Sequence, residues 1–536
     1  MENSSFRRLG TMIDCSRNAV MRPEAVCRWA KLTRELGYNM LMLYTEDTYE
    51  VDGQPYFGYG RGRYTKQELK DMDAYCRSIG MELMPCIQTL AHLDNIIRWK
   101  TFQPYIDTAN ILLIDDERTY ELIDGMFRTL SECFTSRIVN IGMDEAHMVG
   151  RGRYLDQHGP CNRPELLLKH LERVAQIAAK YGFTMVMWSD MFFRLTNGGA
   201  YYGYDPVIDP VFASRVPENV QLIYWDYYSV DRARYDGMLA AHKKIKPGAW
   251  FAGGLWTWRG FAPHNRFSIE STKVAFASCR AAGVQDVFLT MWGDNGGECS
   301  RFSMLPALYC TAQLAQGVED EAVMAEGFRE KFGISMEDFL LLDLPGTGND
   351  VGSCNADKYL LYNDIFTGLL DCTLKGGEGE GYRICADRLA GVQAGEFAPQ
   401  FQTAEALCRV LERKAELGQR TRAAYAADDR TALTALLADY DALLPLLERF
   451  YDAFRAQWLG ENKPQGFEVQ DVRLGGLMQR VRSCRRTLTE YLEGKTASIE
   501  ELEQPLLDVR EGGETFGKQP IEFNTWSRMV SASHIG

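Results

Sequence analysis

Five residues, Gly142-Met143-Asp144-Glu145-Ala146, carry the densest chemical signal in the chain. They close an apolar run, Ile138-Val139-Asn140-Ile141, that reads as a short buried strand. Adjacent side chains leave an extended backbone toward opposite faces. Asp144 and Glu145 therefore meet one ligand only where the strand bends as it ends, and Gly142 permits that bend. Two carboxylates placed this way suit acid chemistry with an electrostatic partner: one group moves a proton and the other holds charge.

The elements that must position this pair alternate along the first three hundred residues. Short apolar runs recur at Leu9 to Ile13, Asn39 to Tyr44, Glu82 to Cys86, Arg137 to Ile141, Thr184 to Trp188, Val220 to Trp225, Trp250 to Leu255 and Val287 to Met291. Amphipathic helices lie between them, such as Pro23 to Leu36, Lys66 to Ile79, Thr119 to Phe134 and Pro164 to Tyr181. Gly37, Gly80 and Gly182 stand where helices end. This alternation predicts an α/β fold, a (β/α)8 TIM barrel over residues 1–320, with several long βα loops. The competing doubly wound sheet would place a glycine loop after its first strand. That position holds Asp14-Cys15-Ser16-Arg17 instead.

Residues 321–536 read as a mostly helical accessory region packed on the barrel. Helices are expected at Val323 to Phe332, Met336 to Leu342, Thr403 to Leu417, Asp429 to Phe450, Asp471 to Leu492 and Ile499 to Arg510, with a loop at Pro345-Gly346-Thr347-Gly348-Asn349. No strong chemical motif lies in this half.

In a barrel enzyme the C-terminal strand ends build the active site. Reading across them in order gives Asp14 and Arg17; Glu46 and Asp47; Gln88 and His92; Asp144, Glu145 and His147; Trp188 and Asp190; Tyr224, Trp225, Asp226 and Tyr227; Trp256, Trp258 and Arg259; and Trp292, Asp294 and Glu298. Tryptophans at four strand ends beside acids and tyrosines suit a sugar, whose C–H faces pack on indole and whose hydroxyls need directional partners. The plainer alternative is that the tryptophans fill the barrel top.

The chain has 536 residues, and its formal net charge of -14 argues against nonspecific nucleic-acid binding. Its 14 cysteines show no dense disulfide spacing and read as reduced core residues. With 7 histidines and no CxxC, a structural zinc is not expected. The opening Met1-Glu2-Asn3-Ser4-Ser5 lacks the basic and apolar parts of a signal peptide, and no apolar stretch is long enough to span a membrane. The expectation is a cytoplasmic protein that needs neither cofactor nor metal, and the reading admits a homodimer.

Two neighbouring acids are too closely tied to serve as acid and nucleophile on opposite sides of a glycosidic bond. They suit a substrate-assisted reaction, in which the substrate's own 2-acetamido oxygen attacks the anomeric carbon. The Ile141-Gly142-Met143-Asp144-Glu145 stretch resembles the Gly-Gly-Asp-Glu motif of glycoside hydrolase family 20, the β-N-acetylhexosaminidases, with Met143 in place of the second glycine. The resemblance extends over the barrel. Met12 to Arg17 is similar to the family's first strand and its Asp-x-x-Arg. Met84 to His92 is similar to the segment ending in an active-site histidine. Tyr224-Trp225-Asp226 resembles a Tyr-x-Asp pair, and Trp292-Gly293-Asp294 a Trp-x-Glu pair with Asp for Glu. Arg61-Gly62-Arg63-Tyr64 and Gly293 to Glu298 resemble an intracellular bacterial branch that accepts both GlcNAc and GalNAc.

That resemblance implies a retaining exo-β-N-acetylhexosaminidase acting on terminal N-acetylhexosamines of oligosaccharides or glycoconjugates. It implies Glu145 as general acid/base, Asp144 as the ionised residue that orients the acetamido group, and Tyr224 as the holder of the acetamido oxygen. Trp188, Trp256 or Trp258, and Trp292 would box the sugar. Arg8 or Arg17, with Asp226, Asp294 and Glu298, would take its hydroxyls, and His92 would support Asp144 or an outer residue. Two other readings stay open: another barrel glycosidase of β-galactosidase-like type, and a noncatalytic sugar-binding barrel.

Overall fold

A computed structural model describes residues 5–347, 354–509, 523 and 531–533. Eight strands form a closed, all-parallel barrel: β1 (Arg8–Asp14), β2 (Met40–Tyr44), β3 (Glu82–Cys86), β4 (Ile138–Asn140), β5 (Thr184–Trp188), β6 (Val220–Trp225), β7 (Trp250–Gly254) and β8 (Asp286–Met291). Each pairs with its neighbours in sequence, and β8 closes on β1 with Leu9 opposite Val287 and Ile13 opposite Met291. The apolar runs are continuous because a barrel strand is covered on both faces, by core inside and helices outside. Every residue of β2, β7 and β8 is buried.

The helices end as their sequences dictate. α1 (Pro23–Leu36) begins with proline in its first turn and ends at Gly37, whose φ of 103° lets its N–H reach the carbonyls of Arg34 and Thr33. α2 (Lys66–Ser78) opens on a capping box between Thr65 and Glu68. α3 (Glu117–Cys133) and α4 (Arg163–Lys180) open on the side chains of Asp116 and Asn162. Long βα loops follow β3 and β4. The one after β3 carries a small hairpin, Ile106–Thr108 against Ile111–Leu112, which the apolar periodicity does not reveal.

By contacts the chain separates into two compact units. One contains the barrel: residues up to Leu255, Phe267–Trp292 and Ala307–Asp320. The other comprises Trp256–Arg266, Gly293–Pro306 and the chain from Glu321 onward. Within this second unit, acids tie the two short segments to its helices. Asp357 accepts the N–H groups of Phe261 and Ala262 at 2.8 and 2.7 Å. Asp343 accepts those of Asn265 and Arg266, and Glu461 accepts the Ser300 hydroxyl.

The second unit is helical, as expected. Its long members are Ala398–Lys414, Arg430–Glu461 and Phe467–Leu492. Arg430–Glu461 continues through Pro445, eleven residues beyond the expected end at Phe450. Helices Ala356–Tyr362, Glu378–Ala390 and Leu417–Ala426 had no counterpart in the sequence reading. Pro345 to Thr347, expected as loop, lie in a helical turn, Leu344–Thr347, while Gly348 and Asn349 fall outside the described residues. Of the expected Ile499 to Arg510 helix only Glu500–Glu503 is helical, and Arg510 lies outside the described residues. All 14 cysteines are free thiols. Among the described residues no helix is long and apolar enough to cross a membrane.

Candidate active site

The bend after β4 is sharper than one glycine supplies. Gly142, Met143 and Glu145 all have left-handed backbones, with φ of 72°, 68° and 51°. For Met143 and Glu145 this costs of order 1–3 kcal/mol each and persists only where the surroundings impose it. Three hydrogen bonds do so. Gly142 N–H donates to Asn140 Oδ1 at 3.0 Å, Met143 N–H to Gln88 Oε1 at 3.2 Å, and Glu145 N–H to Asp190 Oδ2 at 3.0 Å. No side chain fits at residue 142, where a Cβ would lie 2.1 Å from Gln88 Oε1.

The two acids differ in setting. Asp144 is buried, and burial alone would raise its pKa. The nearby charge of His92, with the hydrogen bond from Gln88, outweighs that and holds it below the ordinary value. Gln88 Nε2 donates to Asp144 Oδ1 at 2.8 Å, and His92 Nε2 lies 3.2 Å from Oδ2. For His92 the balance runs the same way. Burial opposes its proton, yet Asp144 pushes its pKa up to about 9. The pair is therefore an ion pair at neutral pH. Glu145 projects from the same turn with 42% of its side chain exposed, its Oε2 3.7 Å from His92 Nε2 and its Oε1 3.9 Å from an Arg194 nitrogen.

Polar and aromatic groups from neighbouring strand ends complete the setting. Gln88 Nε2 also donates to the Tyr44 hydroxyl at 3.0 Å, which donates to Glu46 Oε1 at 3.0 Å. Arg17 bridges Asp14 at 3.0 Å and Glu46 at 3.1 Å, and its guanidinium lies over Trp292 and Tyr44, 5.2 and 5.3 Å from the ring centres. Burial pushes the Glu46 pKa up to about 7 against the pull of Arg17 and His92. Trp188 and Trp292 stand 6.0 Å apart, and Trp188 also meets Phe288 of β8, so it faces the barrel interior. The Tyr227 hydroxyl is hydrogen-bonded by the Trp292 and Thr290 side chains and feels the Asp144 charge, while burial dominates and raises its pKa. Among the described residues no group of His, Cys, Asp and Glu is arranged to hold a metal ion.

A model of the glycosyl hydrolase family 20 catalytic domain matches residues 43–235, and one of the glycoside hydrolase 20C C-terminal domain matches residues 337–518. The chain belongs to glycoside hydrolase family 20. Hexosaminidase D of Bos taurus is 25% identical over 340 residues, covering 59% of this chain and 93% of that protein. Hexosaminidase D of Homo sapiens is 24% identical over 320 residues, covering 55% of this chain and 63% of that protein. Among solved structures, the family 20 exo-β-N-acetylglucosaminidase of Vibrio harveyi in complex with N-acetylglucosamine superimposes with a TM-score of 0.47 at 15% identity, covering 62% of this chain and 58% of that one. The family 20 β-N-acetylhexosaminidase of Streptomyces coelicolor A3(2) gives 0.46 at 19% identity, covering 62% and 70%.

Within this family 20 glycoside hydrolase, the structure brings Asp144, Glu145, His92, Arg17, Trp188 and Trp292 together at one end of the barrel. Arg8 does not join them. It sits at the opposite end, where β1 starts, paired with Glu82 and Asp286 and lying 5.5 Å from the Trp250 ring centre. Of the two arginines considered, Arg17 is the one brought to the acids. Tyr224 and Asp226 are also placed otherwise. Along β6 alternate residues face the helices. The Tyr224 ring packs on Tyr235 and His242 of α5 (Arg232–Ile245), and its hydroxyl donates to Asp226 at 3.0 Å. Asp226 is wholly buried, accepting also from Arg234 at 2.9 Å and from Tyr228 N–H.

Trp256, Trp258, Asp294 and Glu298 belong to the helical unit. There the two indoles lie 5.1 Å apart. Glu298 pairs with Lys358 at 2.9 Å and Arg473 at 2.8 Å, so its charge is already matched by two cations. Asp294 stands at the start of a 3-10 turn, Asp294–Gly296, that Arg473 ties down through the Asn295 carbonyl at 2.7 Å. Tyr227, which the sequence reading placed at a strand end but gave no role, lies beside Trp292 and Asp144. Its signal is position: it lies two residues beyond β6, past the alternation that turns Tyr224 outward.

Proposed function

We propose that this protein is a retaining exo-β-N-acetylhexosaminidase that releases terminal β-linked GlcNAc or GalNAc by substrate assistance. The observation that carries the reading is the unequal state of two adjacent acids. Asp144 is fixed and kept charged by His92 and Gln88, whereas Glu145 projects from the same strained turn into a more open setting. A fixed carboxylate beside a more exposed acid suits one group that holds charge and another that exchanges a proton.

In this scheme Glu145 delivers its proton to the glycosidic oxygen as the bond from C1 to the leaving group breaks. The acetamido oxygen of the same sugar bonds to C1 from the other face, giving an oxazolinium ion. Asp144 accepts from the acetamido N–H and offsets the positive charge that develops there. Tyr227, rather than Tyr224, holds the acetamido oxygen. Trp188 and Trp292 flank the sugar, and Arg17, fixed by Asp14 and Glu46, donates to its hydroxyls. Water activated by Glu145 then opens the ring, and the anomeric configuration is retained.

The test is a side-by-side assay on aryl β-GlcNAc, aryl β-GalNAc and aryl β-glucoside. The two N-acetyl sugars should be cleaved and the glucoside left intact. Equal rates on the glucoside would sink the substrate-assisted reading in favour of a protein nucleophile. Glu145→Gln should lose about 100-fold or more of the rate on substrates with poor leaving groups. A noncatalytic sugar-binding barrel would show no hydrolysis to lose.

A further inference from the structure

Beyond the Asp144-Glu145 pair, and the Asp14 and Glu46 carboxylates bridged by Arg17, a further carboxylate is built into this end of the barrel. Asp190 follows β5 and opens the short helix Asp190–Arg194; its side chain is completely buried. One oxygen, Oδ2, accepts both the Glu145 N–H at 3.0 Å and Arg194 Nε at 3.1 Å. The other, Oδ1, is buried with no hydrogen-bond partner among the described residues. Arg194 returns to the same place, since its terminal nitrogen lies 3.9 Å from Glu145 Oε1 and its guanidinium stands 5.7 Å from the centre of the Tyr201 ring.

We propose that Asp190 is the positioning residue of the general acid, acting on Glu145 through its backbone N–H and through Arg194. This rests on the hexosaminidase reading. The Glu145 backbone has φ of 51°, a conformation a glutamate does not hold unaided, and the bond to Asp190 is the one that fixes its amide. A buried carboxylate is costly unless it maintains something. Here it maintains the direction in which Glu145 leaves the turn. Arg194 links the two acids, so the Glu145 carboxyl is steered from the same anchor.

The charges around Asp190 agree with a supporting role. It faces Asp144 and Glu145, with Arg194 as the countercharge and the Tyr201 hydroxyl nearby. Burial first, and then the Asp144 charge, push its pKa up to about 7. Near neutrality Asp190 shares the negative charge of the site with Asp144 instead of adding a full second one. Asp144 stays ionised, and the anchor of Glu145 does not compete with it.

A leaving-group series separates this role from a merely structural one. Proton delivery matters for a poor leaving group and hardly at all for a very good one. In Asp190→Ala, kcat/KM on an alkylphenyl β-GlcNAc should fall about 100-fold, the scale of a misplaced catalytic group. On 2,4-dinitrophenyl β-GlcNAc it should stay within a few-fold of wild type. Asp190→Asn keeps an acceptor for the Glu145 N–H at the same volume, so it should lose less than Asp190→Ala on the poor substrate. It also serves if the alanine variant fails to fold. Equal losses on both substrates in every folded variant, or no loss, overturns the proposal. A wild-type protein inactive on both substrates defeats the hexosaminidase reading itself, and the assignment of Asp190 with it.

Discussion

Gln88 Nε2 donates to Asp144 Oδ1 at 2.8 Å while Gln88 Oε1 accepts the Met143 N–H at 3.2 Å. One fully buried amide thus grips both the functional carboxylate and the strained backbone just before it. Its second donor contact, to the Tyr44 hydroxyl, links this grip to Glu46 and Arg17. Replacing Gln88 by Ala removes a bond to a charged acceptor, worth about 1.5–3 kcal/mol. Asp144 loses a donor and the turn loses a support. The expected result is a fall in kcat on aryl β-GlcNAc of about 10- to 100-fold. Gln88→Glu should be at least as harmful, because it sets a carboxylate against Asp144. Wild-type kcat in both variants would show that Asp144 needs no such grip.

The His92–Asp144 pair makes a pH prediction of definite sign. His92 holds its proton more tightly in the folded chain than in the unfolded one, with its pKa raised from 6.5 to about 9. Its stabilisation is therefore complete below about pH 6.5 and disappears as the pH rises through about 9. Asp144 is shifted the other way, so its share is present above about pH 3.9 and is lost as the pH falls through its lower folded value. Between these limits the pair contributes most. Thermal melts of wild type and His92→Phe should differ most between pH 4 and 6.5 and converge above pH 9. A difference in melting temperature that is flat across that range would mean the pair does not titrate as an ion pair.

How much of this was legible beforehand follows from which residues obey a period. All eight strands lie on the apolar runs that mark them, because a strand covered on both faces must be apolar throughout. The Asp144-Glu145 bend was legible from Gly142 alone, yet the left-handed Met143 was not, since only tertiary bonds from Gln88 impose it. Arg8 was drawn toward the site only by the family resemblance, but it begins its strand, and the first residue of a barrel strand lies at the far end from the last. The short segments after β7 and β8 group with the helices through Asp343, Asp357 and Glu461. Such bonds join residues about a hundred positions apart, and no local pattern records them. Asp190 was visible as a strand-end acid, but its hold on the Glu145 amide depends on two loops meeting.

The two tyrosines after the sixth strand offer the most direct test of the site. Tyr224 is wholly buried, packs on α5 and donates to Asp226, which is in turn held by Arg234. Tyr227 is hydrogen-bonded by Trp292 and Thr290 and lies within the field of Asp144. If Tyr227 holds the acetamido oxygen as it attacks, Tyr227→Phe removes a donor aimed at developing charge and should lower kcat by about 100- to 1000-fold. Tyr224→Phe removes one bond to a buried, charged acceptor far from that chemistry. It should cost about 1.5–3 kcal/mol of stability and leave kcat near wild type. Rates and chemical-denaturation midpoints for both variants decide the matter. A large kcat loss in Tyr224→Phe with a normal midpoint would reverse the assignment, because a tyrosine that only braces the helix layer has no route to the reacting atoms except through unfolding.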